Sequence, residues 1–104
     1  MKCRRSEVWM VDLGLAAKVR LCLIFSLDFG DLDRALVAVV PHTCSLRGSS
    51  FEVPLHVPFL ESGAFDAQGL RPVPPRVLMR RLGSLTTEQM HAVERAVRRW
   101  LGLS

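Results

Sequence analysis

The sequence predicts a mainly β protein, a small barrel of five or more short antiparallel strands followed by one C-terminal α-helix. Three observations support this fold class. The apolar runs have strand length, turn-forming residues recur roughly every 8 to 15 residues, and one clear helical periodicity lies near the C-terminus. A chain of 104 residues has room for one hydrophobic core, so we expect a single domain over residues 1–104.

The first half of the chain contains four candidate strands, over about residues 5–13, 20–27, 34–43 and 51–57. The turn at residues 14–18 opens with a glycine and separates the first two strands. The third strand is expected to stop near Pro41, because proline cannot donate a hydrogen bond to a ladder. Strict alternation of apolar and polar residues predicts that the fourth strand, which contains Pro54, is a half-exposed edge strand.

The second half begins with a loop rich in Pro and Gly and ends with a helix. A brief strand around residues 64–68 fits the alternation there, and residues 74–83 form either a turn of helix or a last strand. Thr86 and Gln89 have the spacing of a capping box, and Gly102 stands where a C-terminal cap belongs. Between these caps runs one apolar stripe, formed by Met90, Val93, Val97, Trp100 and Leu101.

The net charge of +4 is unevenly distributed along the chain. Residues 1–20 carry +3, residues 21–70 carry −4 and residues 71–104 carry +5, so both ends are basic. A fold that brings the ends together would offer a surface to a polyanion such as a nucleic acid. Scattered charge that aids solubility would account for the composition equally well.

Several classes of function lack their signatures in this sequence. No spacing of Cys and His matches a zinc site, and no glycine-rich phosphate loop is present. No apolar run reaches the roughly 20 residues of a membrane-spanning helix, and the N-terminal segment lacks the apolar core of a signal peptide. The three cysteines, with one of them in mid-strand, suit a reducing compartment. We therefore expect a cytoplasmic protein with no cofactor, no metal and no membrane partner.

Polar side chains cluster where two predicted strands would meet. Arg20 begins the second strand, and Thr43 ends the third. If these strands are antiparallel neighbours, the start of one lies beside the end of the other, and both residues share one rim of the barrel. In a regular strand His42 would point away from Thr43, so we rank it below both. Five polar residues could crowd the same rim, namely Lys18, His42, Ser45, Arg47 and Arg71.

Several segments in the right order resemble the MazF/PemK (Kid) toxins of bacterial type II toxin–antitoxin modules. They are SEVWMVDLG, VRLCLIFS, VVPHTCSLRG, FEVPL and RRLGSLTTEQMHAVERAVRRWLGL. The resemblance covers nearly the whole chain. It implies an SH3-like barrel of the CcdB/MazF type, and a homodimer that is a metal-independent, sequence-selective mRNA endoribonuclease. It also implies a partly disordered antitoxin as partner, with promoter DNA contacted only through the antitoxin complex.

The resemblance assigns roles to individual residues. By position, Arg20 matches the family's catalytic arginine and Thr43 its catalytic threonine. Leu21 stands where the family usually has proline, and Asp66 and Gln68 are separated where many members have an adjacent Asp-Gln pair. The predicted RNA-binding set comprises Lys18, Ser26, His42, Ser45, Arg47, Gln68 and Arg71.

Two other functions remain open at this point. The chain could be a non-cleaving barrel that binds a protein target, as the gyrase poison CcdB does. It could also bind an antitoxin and cut nothing. Trp9 and Phe25 could stack on RNA bases, but we expect both aromatic side chains in the core.

Overall fold

The computed structural model describes residues 2–16 and 18–103. Over these residues the chain forms seven strands and one helix: β1 (Glu7–Asp12), β2 (Val19–Ile24), β3 (Val37–Thr43), β4 (Glu52–Pro54), β5 (Ala64–Asp66), β6 (Arg71–Val73), β7 (Leu78–Ser84) and α1 (Thr87–Leu101). Two short 3-10 turns, Ala67–Gly69 and Pro75–Val77, flank β6. The predicted mainly β class with a C-terminal helix is confirmed.

The strands form one antiparallel sheet in the order β4-β5-β3-β2-β1-β7, and β6 pairs with β3 beside this path. β4 and β7 are the edges of this order, so backbone pairing does not close the sheet into a ring. β4 is the edge strand that the alternation of residues 51–57 predicted. β3 is central, because it pairs with β2 along one side and with β6 and then β5 along the other.

β3 continues two residues past Pro41 and ends at Thr43, close to the expected stop. Val37, Ala38 and Val39 pair with β6, whereas His42 and Thr43 pair with β5. The Ala38 carbonyl accepts a hydrogen bond from the Phe25 N–H, so the backbone of Ala38 points toward β2. Backbone polar groups alternate in direction along a strand, so the nitrogen of Pro41, three residues later, points toward β5 and β6. Because Pro41 lies in the gap between these two pairings, its missing N–H leaves no ladder hydrogen bond unmade.

Both faces of the sheet carry hydrophobic cores. The helix-side core packs residues of β2, β3 and β5 against α1, and its largest members include Leu23, Val40, Phe65, Met90 and Val93. The opposite core lies under β1, β2, β3 and β6 and includes Trp9, Val11, Cys22, Ile24 and Val39. Each fully buried Val, Leu or Ile contributes about 1.5–3 kcal/mol to folding. A sheet buried on both faces is a rigid support for side chains at its ends.

The helix has both predicted caps. The Thr86 hydroxyl accepts from the Gln89 N–H at 3.1 Å, and the Gln89 side chain accepts from the Thr86 N–H at 2.9 Å. Gly102 ends the helix in a left-handed conformation with a φ of 71°. The first part of the apolar stripe is buried, but Trp100 and Leu101 remain exposed by 43% and 51%.

Candidate active site at the end of strand β3

The pairing of β2 with β3 brings Arg20 and Thr43 to the same end of the sheet. Cys22 lies opposite Pro41, and continuing this antiparallel register by two residues places Arg20 opposite Thr43. The alternation of side chains places both of them on the face of Cys22 and Pro41. The rim expected from the sequence is therefore present in the structure.

A second arginine converges on this face from the other side of β3. Arg71 of β6 lies opposite Val39, so its side chain shares the face of Thr43. Burial raises the pKa of the Cys22 thiol to about 12, and the positive charges of Arg71 and then Arg20 act against this rise. Both guanidinium groups thus act on one buried thiol, which indicates a positive potential at this end of the sheet.

Arg20 is positioned by its strand and not by its side-chain contacts. Its backbone pairs with Val11 of β1. Farther along β2, Cys22, Leu23 and Ile24 are fully buried. The Arg20 guanidinium forms neither an ion pair nor a hydrogen bond with any residue in the described part of the chain. Its donors are therefore available to an anion such as phosphate.

Thr43 is held at the point where β3 turns away. Its hydroxyl oxygen accepts from the Ser45 N–H at 3.1 Å, which leaves the hydroxyl proton free to donate. Gly63 packs directly on this strand end, since a Cβ there would lie 2.3 Å from the Thr43 carbonyl oxygen. A residue with a side chain at position 63 would displace the end of β3.

The other predicted RNA-binding residues are distributed unevenly around this end. Lys18 is exposed two residues before Arg20, in a left-handed conformation with a φ of 58°. Its turn includes Ala17, which lies outside the described residues. Arg47 belongs to the turn after Ser45, where its N–H donates to the Glu52 carboxylate at 3.0 Å.

One member of the predicted set, Ser26, lies apart from Arg20. Ser26 follows the far end of β2, where its hydroxyl accepts from the Ala38 N–H at 2.9 Å. It lies six positions after Arg20 along the chain, about 20 Å in extended backbone. Gln68 is exposed on the 3-10 turn before β6, and its N–H donates to the Asp66 carboxylate at 3.1 Å.

His42 points to the opposite face of β3, as its position next to Thr43 requires. It is only 7% exposed, and its ring meets Phe65 edge to face at 5.0 Å. Burial lowers the pKa of His42, while the Glu61 carboxylate acts in the opposite direction. Both side chains line a cleft of about 360 Å³ that also reaches Arg20 and Phe59.

Sequence reasoning missed Glu61 and Phe59, because the loop before β5 gave no regular pattern. The pairing of β5 with the end of β3 could have located these residues, because it brings the loop before β5 close to Arg20. Glu61 is the only acid between Glu52 and Asp66, so the loop had one candidate.

The two basic ends of the chain meet in the fold. β1 pairs with β7 on one side and β2 on the other, and Glu7 bridges to Arg81 at 2.8 Å. Arg5 near the N-terminus contacts Glu94 of the helix. Within the described ranges, no group of three or more His, Cys, Asp or Glu side chains could hold a metal ion. The same residues contain no helix long and apolar enough to cross a bilayer.

This fold is shared with solved structures of toxins. A chain of an endoribonuclease from a mycobacterial species, solved in complex with its cognate antitoxin, is 24% identical with a TM-score of 0.84, over 98% of this chain and 97% of that chain. A chain of the MazE–MazF structure from Deinococcus radiodurans is 20% identical with a TM-score of 0.80, over 98% and 97%. The Mycobacterium tuberculosis toxin MazF-mt6 is 25% identical with a TM-score of 0.79, over 94% and 98%.

The chain forms a seven-stranded antiparallel sheet with one C-terminal helix, and its fold matches solved structures of MazF toxins. These two findings assign it to the MazF fold class. Residues 4–101 match the family described as the PemK-like, MazF-like toxin of type II toxin-antitoxin systems. The chain belongs to this family. The resemblance seen in its sequence segments is confirmed.

Proposed function

We propose that this toxin is a sequence-selective endoribonuclease that cuts single-stranded mRNA without a metal ion. The observation that carries the proposal is the convergence of Arg20 and Thr43 on one face at the end of β3, with Arg71 approaching from β6. The Arg20 guanidinium has no protein partner in the described chain. The similar mycobacterial structures are named as endoribonucleases.

RNA can be cut through its own 2′-hydroxyl, which attacks the adjacent phosphorus and expels the 5′-oxygen. The protein must then stabilise the negative charge that grows on the pentacoordinate phosphorane. Arg20 has the donors for this role, because its planar guanidinium matches two phosphate oxygens and stays charged. Arginine side chains are poor general bases in proteins, so we assign Arg20 to charge stabilisation.

Thr43 would hydrogen-bond the scissile phosphate or the attacking 2′-oxygen. Its hydroxyl already accepts from the Ser45 N–H, which fixes the oxygen in place. The free proton can donate to a phosphate oxygen beside Arg20. Arg71 and Lys18, which are both exposed, would hold the flanking phosphates in this account.

The expected partners of the toxin are inferred from its family and from the distribution of charge along its chain. An antitoxin is the expected protein partner, and the MazE–MazF complex from Deinococcus radiodurans is a structural match. We propose that an acidic antitoxin segment covers the basic surface where the two chain ends meet. The toxin would act in the cytoplasm as a homodimer, and its RNA affinity should weaken steeply with salt, because bound cations are released from phosphates.

The test is incubation of the purified protein with a long single-stranded RNA in EDTA, followed by mapping of the new ends. We expect discrete cuts by the wild type and a loss of rate of about 10²–10³ in Arg20→Ala, the usual effect of removing one preorganised donor. The control is Arg34→Ala, which removes an exposed arginine from the acidic turn at residues 28–34. Full activity of Arg20→Ala would contradict the proposal. RNA that stays intact while DNA is damaged in expressing cells would favour the CcdB-like alternative.

A further inference from the structure

Gly69 lies at the point where β3 changes partner. β3 pairs with β6 up to Val39 and with β5 from His42 onward, so neither of these strands pairs with Pro41. The turn Ala67–Gly69 connects β5 to β6. A Cβ at Gly69 would lie 2.5 Å from Cγ and 2.9 Å from Cδ of Pro41, so the glycine packs directly on the proline ring.

Glycine is required at position 69 because of space and not because of backbone conformation. The φ of Gly69 is not positive, so other residues could adopt this backbone. The Pro41 ring is buried and is closed onto its own backbone nitrogen, so it cannot rotate away as a flexible side chain would. A side chain at position 69 would therefore push the turn and β3 apart.

The turn that contains Gly69 is fixed on its other side. Ala67 is fully buried in the helix-side core, and its N–H donates to the Phe51 carbonyl at 3.0 Å. The Asp66 carboxylate accepts from the Gln68 N–H at 3.1 Å. Because the start of the turn is held in this way, a clash at Gly69 would displace Gly69 and the residues that follow it.

Arg71 follows Gly69 by two residues and is hydrogen-bonded to it. The Arg71 Nε donates to the Gly69 carbonyl at 3.3 Å. The terminal nitrogens of this guanidinium form no hydrogen bond or ion pair within the described residues, so they can bind an anion. Pro41, Thr43 and Arg71 share one face of the sheet. Gly69 therefore contacts both the strand that carries Thr43 and the side chain of Arg71.

We propose that Gly69 is a positioning residue that holds the Arg71 guanidinium beside Thr43, where it binds an RNA phosphate that flanks the cut site. The inference rests on the proposed function for its substrate. Gly69 acts through Arg71, because its contact with Pro41 sets the separation of the turn from β3 and its carbonyl orients the Arg71 Nε. A larger residue at position 69 would keep the positive charge of Arg71 but move its donors away from the phosphate.

The test is a double-mutant cycle between Gly69 and Arg71 that measures binding, so it does not depend on cleavage. A short single-stranded RNA made of 2′-fluoro nucleotides lacks the attacking hydroxyl, and fluorescence anisotropy gives its affinity. We expect Arg71→Ala to weaken binding roughly 10-fold, as for the loss of one hydrogen bond to a charged group. Gly69→Ala should weaken binding roughly 5-fold when Arg71 is present and should have no effect in the Arg71→Ala background.

The salt dependence of binding gives a second measurement that a general loss of stability would not change. Each phosphate contact on a single strand contributes about 0.7 to the slope of log affinity against log salt concentration. Gly69→Ala should lower this slope by about 0.7, as Arg71→Ala does, although it leaves the net charge unchanged.

Gly30→Ala is the matched control, because a Cβ there would meet only the Asp33 carboxylate, at an ordinary 3.6 Å. It should leave the affinity unchanged in both backgrounds. Pro41→Ala removes the ring atoms on which Gly69 packs and adds no bulk, so it provides the same cycle if Gly69→Ala does not fold. It should also weaken binding only when Arg71 is present.

Equal losses of affinity with and without Arg71 would overturn the inference, because they would indicate a general structural role for Gly69. Unchanged affinity of Gly69→Ala in the presence of Arg71 would overturn it as well. Coupling of Gly69 to Arg71 in a protein that cuts no RNA would support the inference and contradict only the proposed function.

Discussion

Arg20 occupies an unusual position for a charged residue, at the exposed end of a strand that is otherwise buried. A solvated turn cation would need no such support, whereas a phosphate-binding arginine benefits from a fixed backbone. Arg71 brings a second positive charge to the same face. Arg20 forms no ion pair within the described residues, so its positive charge is not neutralised. A bound phosphate anion would therefore stabilise this pair of arginines.

Thr43 provides the sharpest prediction at the residue scale. Thr43→Val keeps the shape of the side chain but removes the hydroxyl, so cleavage should slow roughly 10- to 100-fold, as expected for one hydrogen bond to a charged group. Initial rates on a single-site RNA substrate measure this effect. Thr43→Ser restores the hydroxyl and should recover most of the rate.

The thermal unfolding midpoints of both Thr43 variants should stay near that of the wild type, because the side chain is only half-buried. An equally slow Thr43→Ser would show that the methyl group matters more than the hydroxyl, against this assignment.

For individual residues, the sequence predicts the positions of those on neighbouring strands better than the positions of those on loops. Arg20 and Thr43 could be placed together because two consecutive strands joined by a short connection usually pair. Ser26 lies far from both, because it follows the opposite end of the same strand. Glu61 could not be found, because its position depends on the pairing of β5 with β3 across a long loop.

Among the elements, the turn between β3 and β4 depends on one carboxylate. Glu52 accepts hydrogen bonds from the N–H groups of Arg47, Gly48 and Ser49 at 2.9–3.2 Å. The bond from Arg47 contributes most to lowering the pKa of Glu52, and the other two add to it. The folded pKa therefore lies below the unfolded value of about 4.3.

This lowered pKa predicts a pH-dependent stability. The contribution of Glu52 is fully present above about pH 5 and is lost as the pH falls through the folded pKa, because the unfolded state then binds the proton more readily. Glu52→Gln should lower the thermal midpoint at pH 7, and the difference from the wild type should shrink at pH 3. A difference of constant size between pH 7 and pH 3 would show that the carboxylate charge contributes nothing.

β3 shows why element boundaries were harder to predict than elements. Pro41 favoured an early end to the strand, but the change of partner from β6 to β5 accommodates it. The residues 74–83, read as either helix or strand, contain both a 3-10 turn and β7. Neither outcome follows from local preference, because both depend on pairings distant in the sequence.

At the scale of the whole molecule, an apolar surface remains at the end of α1. Trp100, Leu101 and Leu103 are 43%, 51% and 56% exposed. Leu101 and Leu103 line a groove of about 580 Å³ whose lining also includes Phe25 and Leu27. A protein of this size seldom exposes such a patch without a partner.

We therefore predict a homodimer in solution. Light scattering at tens of micromolar should give twice the monomer mass of 11.6 kDa. Leu101→Asp would add a charge to the patch and should shift the mass toward the monomer, whereas Leu32→Asp, on an exposed turn away from the helix, should not. A monomer mass for the wild type would contradict this prediction.

The fold class was predictable from the sequence because strand length, turn spacing and helix caps are local signals. From the sequence, the meeting of the two basic chain ends is one possibility among others. In the structure β1 brings the ends together by pairing with β2 and β7. The two faces of the sheet could not be assigned in advance, since every strand from β1 to β3 is apolar on both sides.

In the proposed mechanism, the RNA's own 2′-hydroxyl attacks the phosphate bound at Arg20 and Thr43. The most direct measurement uses one RNA oligomer with a mapped cut site and a second in which only the cut nucleotide is 2′-deoxy. We expect the second oligomer to bind nearly as well but not to be cut, and the first to yield a 2′,3′-cyclic phosphate and a 5′-hydroxyl in EDTA. Cleavage of the deoxy-substituted site, or a 5′-phosphate on the product, would contradict it.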